Sequence, residues 1–323
     1  MSWTTWDFAP LVLVGAAIAL LLFLDAFLLL RRRGRSDHAG WSRAALFVLA
    51  VALGTLPLVS PLDEAGDTYL LSAHVLQHVL ISDVAPALAL VALRGPLVFF
   101  FPPNVVLRRV AHRARVRRLI VFVLRPRVSL ALWAGVIGAW HVPAPYDYAL
   151  AHPIAHDLEH LSFIAVGLLA WTQTVDPGRR TTLDPAQRLV CASAMLLFTL
   201  ALGGLLFFAD PLYSTYVRQG TRLFALSPAA DQRLAGLVMI GEQLLAFAVC
   251  AGFLLPALGR GQVLREAGRG TAGGDRDRHF TGPRADQYRY GRGLTHRLDS
   301  CDPRVLNRHS RGTRAAQPRS PRG

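Results

Sequence analysis

The chain contains no lysine; all 35 of its basic side chains are arginine. A retinal protein, whose chromophore is held as a Schiff base on a lysine, is thereby excluded. Cysteine is nearly as scarce. Cys191, Cys250 and Cys301 are the only three, and none forms a CxxC pair. They offer neither a disulfide framework nor a thiolate metal site. The apolar runs lack the two-residue alternation of barrel strands, which leaves helices as their structure. The net charge of +14 does not imply a nucleic-acid partner. It sits in loops beside apolar runs and in the C-terminal segment, where anionic lipid headgroups and orientation in a membrane account for it.

What is present in quantity is apolar. Hydrophobic residues make up 52% of the 323, too many for an ordinary soluble domain of this length. Seven runs at 10–30, 43–60, 69–93, 128–142, 154–175, 188–208 and 234–258 are separated by Arg-rich or Pro/Gly-rich segments. Each approaches the ~20 residues that cross a bilayer as a helix, the fourth being the shortest. The expected fold is all-α: a polytopic membrane protein of seven transmembrane helices. The first run lacks a basic stretch before it and is too long for a signal peptide, so it is expected to be retained.

Arginine placement orients the spans. The loops after the first, third and fifth runs are basic, as in "RRRGRSDHAGWSR"; "PLDEAGD" after the second is acidic, and the connection after the fourth has no arginine. This predicts an N-terminus outside and a C-terminus in the cytoplasm. The expected domains are a transmembrane domain over 1–258 and an Arg/Gly-rich cytoplasmic tail over 259–323, whose composition predicts disorder.

Costly residues interrupt the apolar runs. "SAHVLQHVLISD" places His74 and His78 four residues apart, on one helix face at the outer end of the third run. Gln77 and Ser82 flank that face, and Asp83 points away and needs its own partner. "HPIAHDLEH" repeats the spacing with His156 and His160, with Glu159 beside them. His141 ends the fourth run on the same side. In the last run Asp231 and Glu242 share a face, with Met239 nearby. Intramembrane ionisable groups are functional candidates by default, and imidazole suits copper, zinc and iron. A structural alternative is that the histidines bond only to water, headgroups and neighbouring helices. Two further classes stay open. Facing histidines can ligate haem iron. "HDLEH" fits H-x-x-E-H, a zinc-protease signature with Glu159 as base, although this leaves His74, His78 and His141 without a role.

Four stretches carry a family resemblance: "HVLQHVLISDVAPALALVALRGP", "WHVPAPYDYALAHPIAHDLEHLSFIAVGLLAW", "FADPLYSTY" and "ADQRLAGLVM". In this order they resemble the bacterial caa3-type cytochrome c oxidase assembly factor family, known as CtaG. The resemblance implies a seven-span, non-enzymatic protein of the bacterial cytoplasmic membrane. It would serve a haem–copper oxidase, with oxidase subunits as partners and copper as the expected metal. An unrelated single-span copper protein sharing the name uses cysteines, and the lack of paired cysteines argues against that one. Carried onto this chain, the candidate metal residues are His74, His78, His141, His156 and His160, with Glu159, Asp231 and Met239, and Asp210 as a possible addition. Val75 stands where family members often have methionine, and "MIGEQ" replaces an "MWxPG"-like segment. Both departures favour an imidazole site over a thioether-rich one.

Overall fold

The computed structural model describes residues 6, 8–178 and 183–273, with side chains up to residue 259. The chain divides into two compact units, 1–268 and 269–323. Of the second, only the helical residues 269–273 are described. Among the described residues every regular element is helical. The principal helices are α1 (Pro10–Arg32), α2 (Trp41–Thr55), α3 (Leu71–Ala92), α4 (Asn104–His112), α5 (Ala114–Val123), α6 (Pro126–Trp140), α7 (Pro143–Ala151), α8 (Pro153–Val175), α9 (Pro185–Phe208), α10 (Ser214–Arg218) and α11 (Pro228–Gly273). Six of them begin on proline, which supplies a helical φ where no N–H is required. The α9 start adds a capping box, Asp184 with Gln187. The last helix passes the expected boundary at 258 and runs to Gly273. The rest of the Arg/Gly-rich tail lies outside the described residues.

Five helical stretches are long and apolar enough to cross a membrane: Pro10–Arg32, Ser36–Leu58, Leu71–Ala92, Pro185–Phe208 and Pro228–Gly259. A sixth arises if α5 and α6, bent by 75°, count as one. The sequence predicts seven. Its fourth run is the 15-residue α6, only about 22 Å long at 1.5 Å per residue. Its fifth is α8, which has 23 residues but is diluted by His156, Asp157, Glu159, His160 and Gln173. The reason is positional. α8 packs against α3, α6, α7 and α9, so much of its surface meets protein rather than lipid. The outward surface of the bundle is apolar instead, as at Leu11, Leu21, Phe208 and Phe253. That is the reverse of a water-soluble protein and suits a bilayer.

α3 is the axis. Its C-terminal end packs with α1 and α2 around the stacked Phe23 and Phe47. Its N-terminal half joins α7, α9 and α11, and Leu90 joins α6, α8 and α9. Midway, Leu80–Val84 forms a π-helical turn. Pro86 follows it; without an N–H it cannot serve the Ser82 carbonyl. That carbonyl faces Gly167 on α8, where a Cβ would lie 1.8 Å from the oxygen. Only glycine lets the two backbones approach this closely. Pro86 thus marks a π-turn, not a broken span.

Candidate metal centre

The close approach of α3 and α8 brings the two histidine pairs together. One potential ligand atom from each of His74, His78, His156 and His160 lies within 4.8 Å of the others. Ring centroids are 4.2 Å apart within each pair. Between helices they are 5.2 Å apart for His74–His156 and for His78–His160. His74 is 0% exposed, His78 4% and His160 8%; the His156 side chain is 14% exposed. Tyr146 packs near His74, and the Phe163 ring lies edge-on to His78.

These rings are buried without satisfaction. Nε2 of His74, His156 and His160 and both ring nitrogens of His78 have no hydrogen-bond partner, and His74 Nδ1 has only the Asp67 carboxylate beside it. An unmet buried polar atom costs ~1–3 kcal/mol. A water or an ion between the rings would relieve that cost. A tetrahedral ion at ~2.0–2.1 Å from each nitrogen would hold them ~3.4 Å apart, against the 4.8 Å within which they lie here. The donor set and the orphaned nitrogens fit a metal ion, and the cluster could hold one.

Two carboxylates stand behind the rings. Asp67, in the π-helical turn Ala65–Tyr69, places Oδ1 3.2 Å from His74 Nδ1 and Oδ2 3.6 Å from His156 Nδ1. One side chain thus addresses a histidine on each helix. Gly66 permits this, since a Cβ there would lie 2.9 Å from His74 Cα. Glu159 is 1% exposed, with Oε1 3.9 Å from His78 Nε2 and no hydrogen bond. Asp67 is 31% exposed, so with His156 it forms the solvent-reaching edge of the cluster.

Other predicted ligands are placed elsewhere. His141 is not in the four-histidine group. As the residue after α6, its Nδ1 lies 2.8 Å from the Ile137 carbonyl one turn back, and the ring packs near Phe163. Asp231, expected as a possible ligand, is engaged at a helix end. Its carboxylate accepts from Leu71 N at 2.7 Å, Ser72 N at 3.1 Å and Ser72 Oγ at 2.5 Å, closing the N-terminus of α3. Met239 and Glu242 line a separate cavity, wide enough for water, which shares His78 with the cluster and includes His141 and Asp83. The partner that Asp83 requires is Trp171, whose Nε1–H donates at 3.1 Å, with the Ser82 hydroxyl at 2.9 Å.

Asp67 is the residue that sequence reasoning missed. It lies in "PLDEAGD", a segment informative at first only for topology, although it is seven residues before His74 at the same end of the span.

The four stretches that carry the family resemblance also hold one another. Tyr213 donates to the His141 carbonyl at 3.0 Å, and Tyr216 to the Gly66 carbonyl at 2.7 Å, fixing the turn that carries Asp67. Ser214 and Thr215 donate to Asp147. Gln232 accepts from Leu212 N at 2.7 Å and donates to the Leu206 carbonyl at 3.0 Å. "FADPLYSTY" and "ADQRLAGLVM" thus brace the elements around the histidines.

The family model of the cytochrome c oxidase caa3 assembly factor (Caa3_CtaG) matches residues 21–259, and the chain belongs to that family. No curated protein and no solved structure matches it.

Proposed function

We propose that this member of the caa3 oxidase assembly factor family binds copper in its four-histidine cluster and presents it to a subunit of a haem–copper cytochrome c oxidase. The observation that carries the proposal is the convergence of four imidazoles, three buried and one partly exposed, each with at least one ring nitrogen lacking a hydrogen-bond partner. The family supplies the oxidase context. The imidazole set suits copper, and Met239 lies across the adjoining cavity. The ion is cargo and no catalysis is required. With α6 and α8 counted as spans, the bundle has seven, the N-terminus lies outside, and the cluster faces outward from the bacterial cytoplasmic membrane.

The alternative ligands fare less well on geometry. Bis-histidine haem needs a slot for a macrocycle between facing imidazoles, whereas these rings crowd edge-to-face at 4.2 Å and 5.2 Å. A zinc hydrolase needs its base open to substrate, whereas Glu159 is sealed inside the bundle.

The test is metal content and oxidase activity together. Detergent-purified protein loaded with copper is expected to hold about one ion per chain. The His74→Ala/His78→Ala variant should lose it, and membranes carrying that variant should lose oxidase activity at unchanged protein level. Full oxidase activity in a variant lacking all four imidazoles would overturn the proposal.

A further inference from the structure

Outside the metal cluster, the strongest unexplained feature is the segment between α3 and α6. From 84 to 146 the chain has no acidic residue, yet it carries nine arginines: 94, 108, 109, 113, 115, 117, 118, 125 and 127. α4 and α5 lie in this stretch, and neither contains a buried residue. α5 sets Val116, Leu119, Ile120 and Val123 along one stripe at helical spacing, with Arg115, Arg117 and Arg118 on the first turns of the other faces and the exposed Val121 and Phe122 following them. Leu119 is 60% exposed. Among the described residues none of these arginines forms an ion pair with a carboxylate.

The geometry decides what covers this surface. α5 meets α6 at a bend of 75°. With α6 along the bilayer normal, α5 lies within about 15° (90 − 75) of the membrane plane. The alternative, α5 and α6 as one bent span, would drag three arginines into hydrocarbon at ~2.5–3.5 kcal/mol each. A helix lying ~5–10 Å into the headgroup boundary also explains how a ~22 Å α6 suffices where ~30 Å is needed. Arg125 and Arg127, at the start of α6, have side chains long enough to reach back to the phosphates.

We propose that α5, with α4 leading into it, lies in the headgroup layer and binds anionic phospholipid. The α5 stripe enters the acyl boundary, and the arginines of both helices reach the lipid phosphates. Charge complementarity and the membrane spans on either side identify the occupant as lipid rather than a soluble partner. This inference is independent of the metal cluster.

The test uses the full chain in phosphatidylcholine vesicles with and without phosphatidylglycerol. Native mass spectrometry should show phosphatidylglycerol enriched over phosphatidylcholine on the released protein. Each arginine near an anionic surface is worth about fivefold in affinity, so Arg115→Gln, Arg117→Gln and Arg118→Gln combined should lower the preference roughly a hundredfold. In the same vesicles a water-soluble maleimide should label Arg117→Cys readily and Leu119→Cys poorly, read by peptide mass. Absence of any phosphatidylglycerol preference in the unaltered protein would overturn the proposal, as would its survival in the triple variant. Equal labelling at 117 and 119 would also overturn it, placing α5 in water or against another protein.

Discussion

Replacing Asp67 by asparagine tests the cluster at its least obvious member. The carboxylate faces Nδ1 of His74 at 3.2 Å and of His156 at 3.6 Å. A carboxylate there favours the Nδ1–H tautomer of both rings and turns Nε2 toward the ion. Asparagine keeps the shape, but it removes the charge and points an amide N–H₂ at one of the two rings. Loss of such an outer carboxylate costs ~10–100-fold in metal affinity. Because this one serves two ligands, the expected loss is at the upper end, about 100-fold or ~2.7 kcal/mol. The assay is copper competition against a chelator of known affinity, with unaltered protein, Asp67→Asn and Asp67→Glu side by side. Glutamate restores the charge at a partly exposed position and should recover most of the loss. Thermal unfolding of the metal-free proteins should be nearly the same. Unchanged affinity in Asp67→Asn would refute the reasoning. So would equal weakening by asparagine and glutamate, which would reduce Asp67 to a packing residue.

Three further outcomes follow from the same geometry. Asp231→Ala strands the Leu71 and Ser72 amides and should lower stability by about 2–4 kcal/mol. Because Asp231 is a cap, copper stoichiometry of the folded fraction should hold; loss of copper at full stability would restore it as a ligand. Gly167→Ala forces α3 and α8 apart, since its Cβ would meet the Ser82 carbonyl at 1.8 Å, so both thermal stability and copper binding should fall. Gly204→Ala, with nothing within 4 Å, is the neutral control, and equal behaviour of the two variants would sink the close-approach argument. Asp147 supplies a pH dependence. Burial pushes its carboxyl up, but hydrogen bonds from Thr215 and Ser214 outweigh this and hold it below the ordinary carboxylate range. Its contribution is therefore complete above the ordinary value of about 4 and is lost as pH falls through the lowered one. Normalised hydrogen exchange at the amides of Ser214 and Thr215 should rise on acidification, and Asp147→Asn should abolish that pH dependence.

The histidines were legible because a four-residue spacing inside an apolar run is costly and places both rings on one face. Their meeting was not legible. It depends on Gly167 and on the π-turn at Leu80–Val84, where one glycine among 27 and one proline decide how near two backbones come. His141 and Asp231 show a second ambiguity. A polar residue in an apolar run can serve a helix end as well as a metal, and composition does not separate the two. The count of seven spans rests on apolar length, a criterion that suits lipid-facing helices. α8 is largely surrounded by other helices, so its polar residues need protein partners rather than lipid, and by apolarity alone it falls out of the count.

The two carboxylates near the cluster also bear on which ion it holds. Four neutral imidazoles bring no charge, so an ion among them in a weakly polarisable interior needs carboxylates for balance. Asp67, partly solvated, matches a monovalent ion alone. A divalent ion also needs Glu159, which is 1% exposed and lies 3.9 Å from His78. At an effective dielectric of ~20 and a separation of ~5 Å, one unit charge on each partner is worth about 3 kcal/mol. The second positive charge of a divalent ion adds that much, about two orders of magnitude in affinity. Glu159→Gln should accordingly weaken zinc(II) and copper(II) about a hundredfold more than copper(I), measured by parallel competition under oxidising and reducing conditions. Equal loss for both charge states would mean that Glu159 holds the His78 ring rather than balancing the ion. No loss for either would mean that the carboxyl is protonated throughout, and the cluster would then be built for the monovalent ion alone.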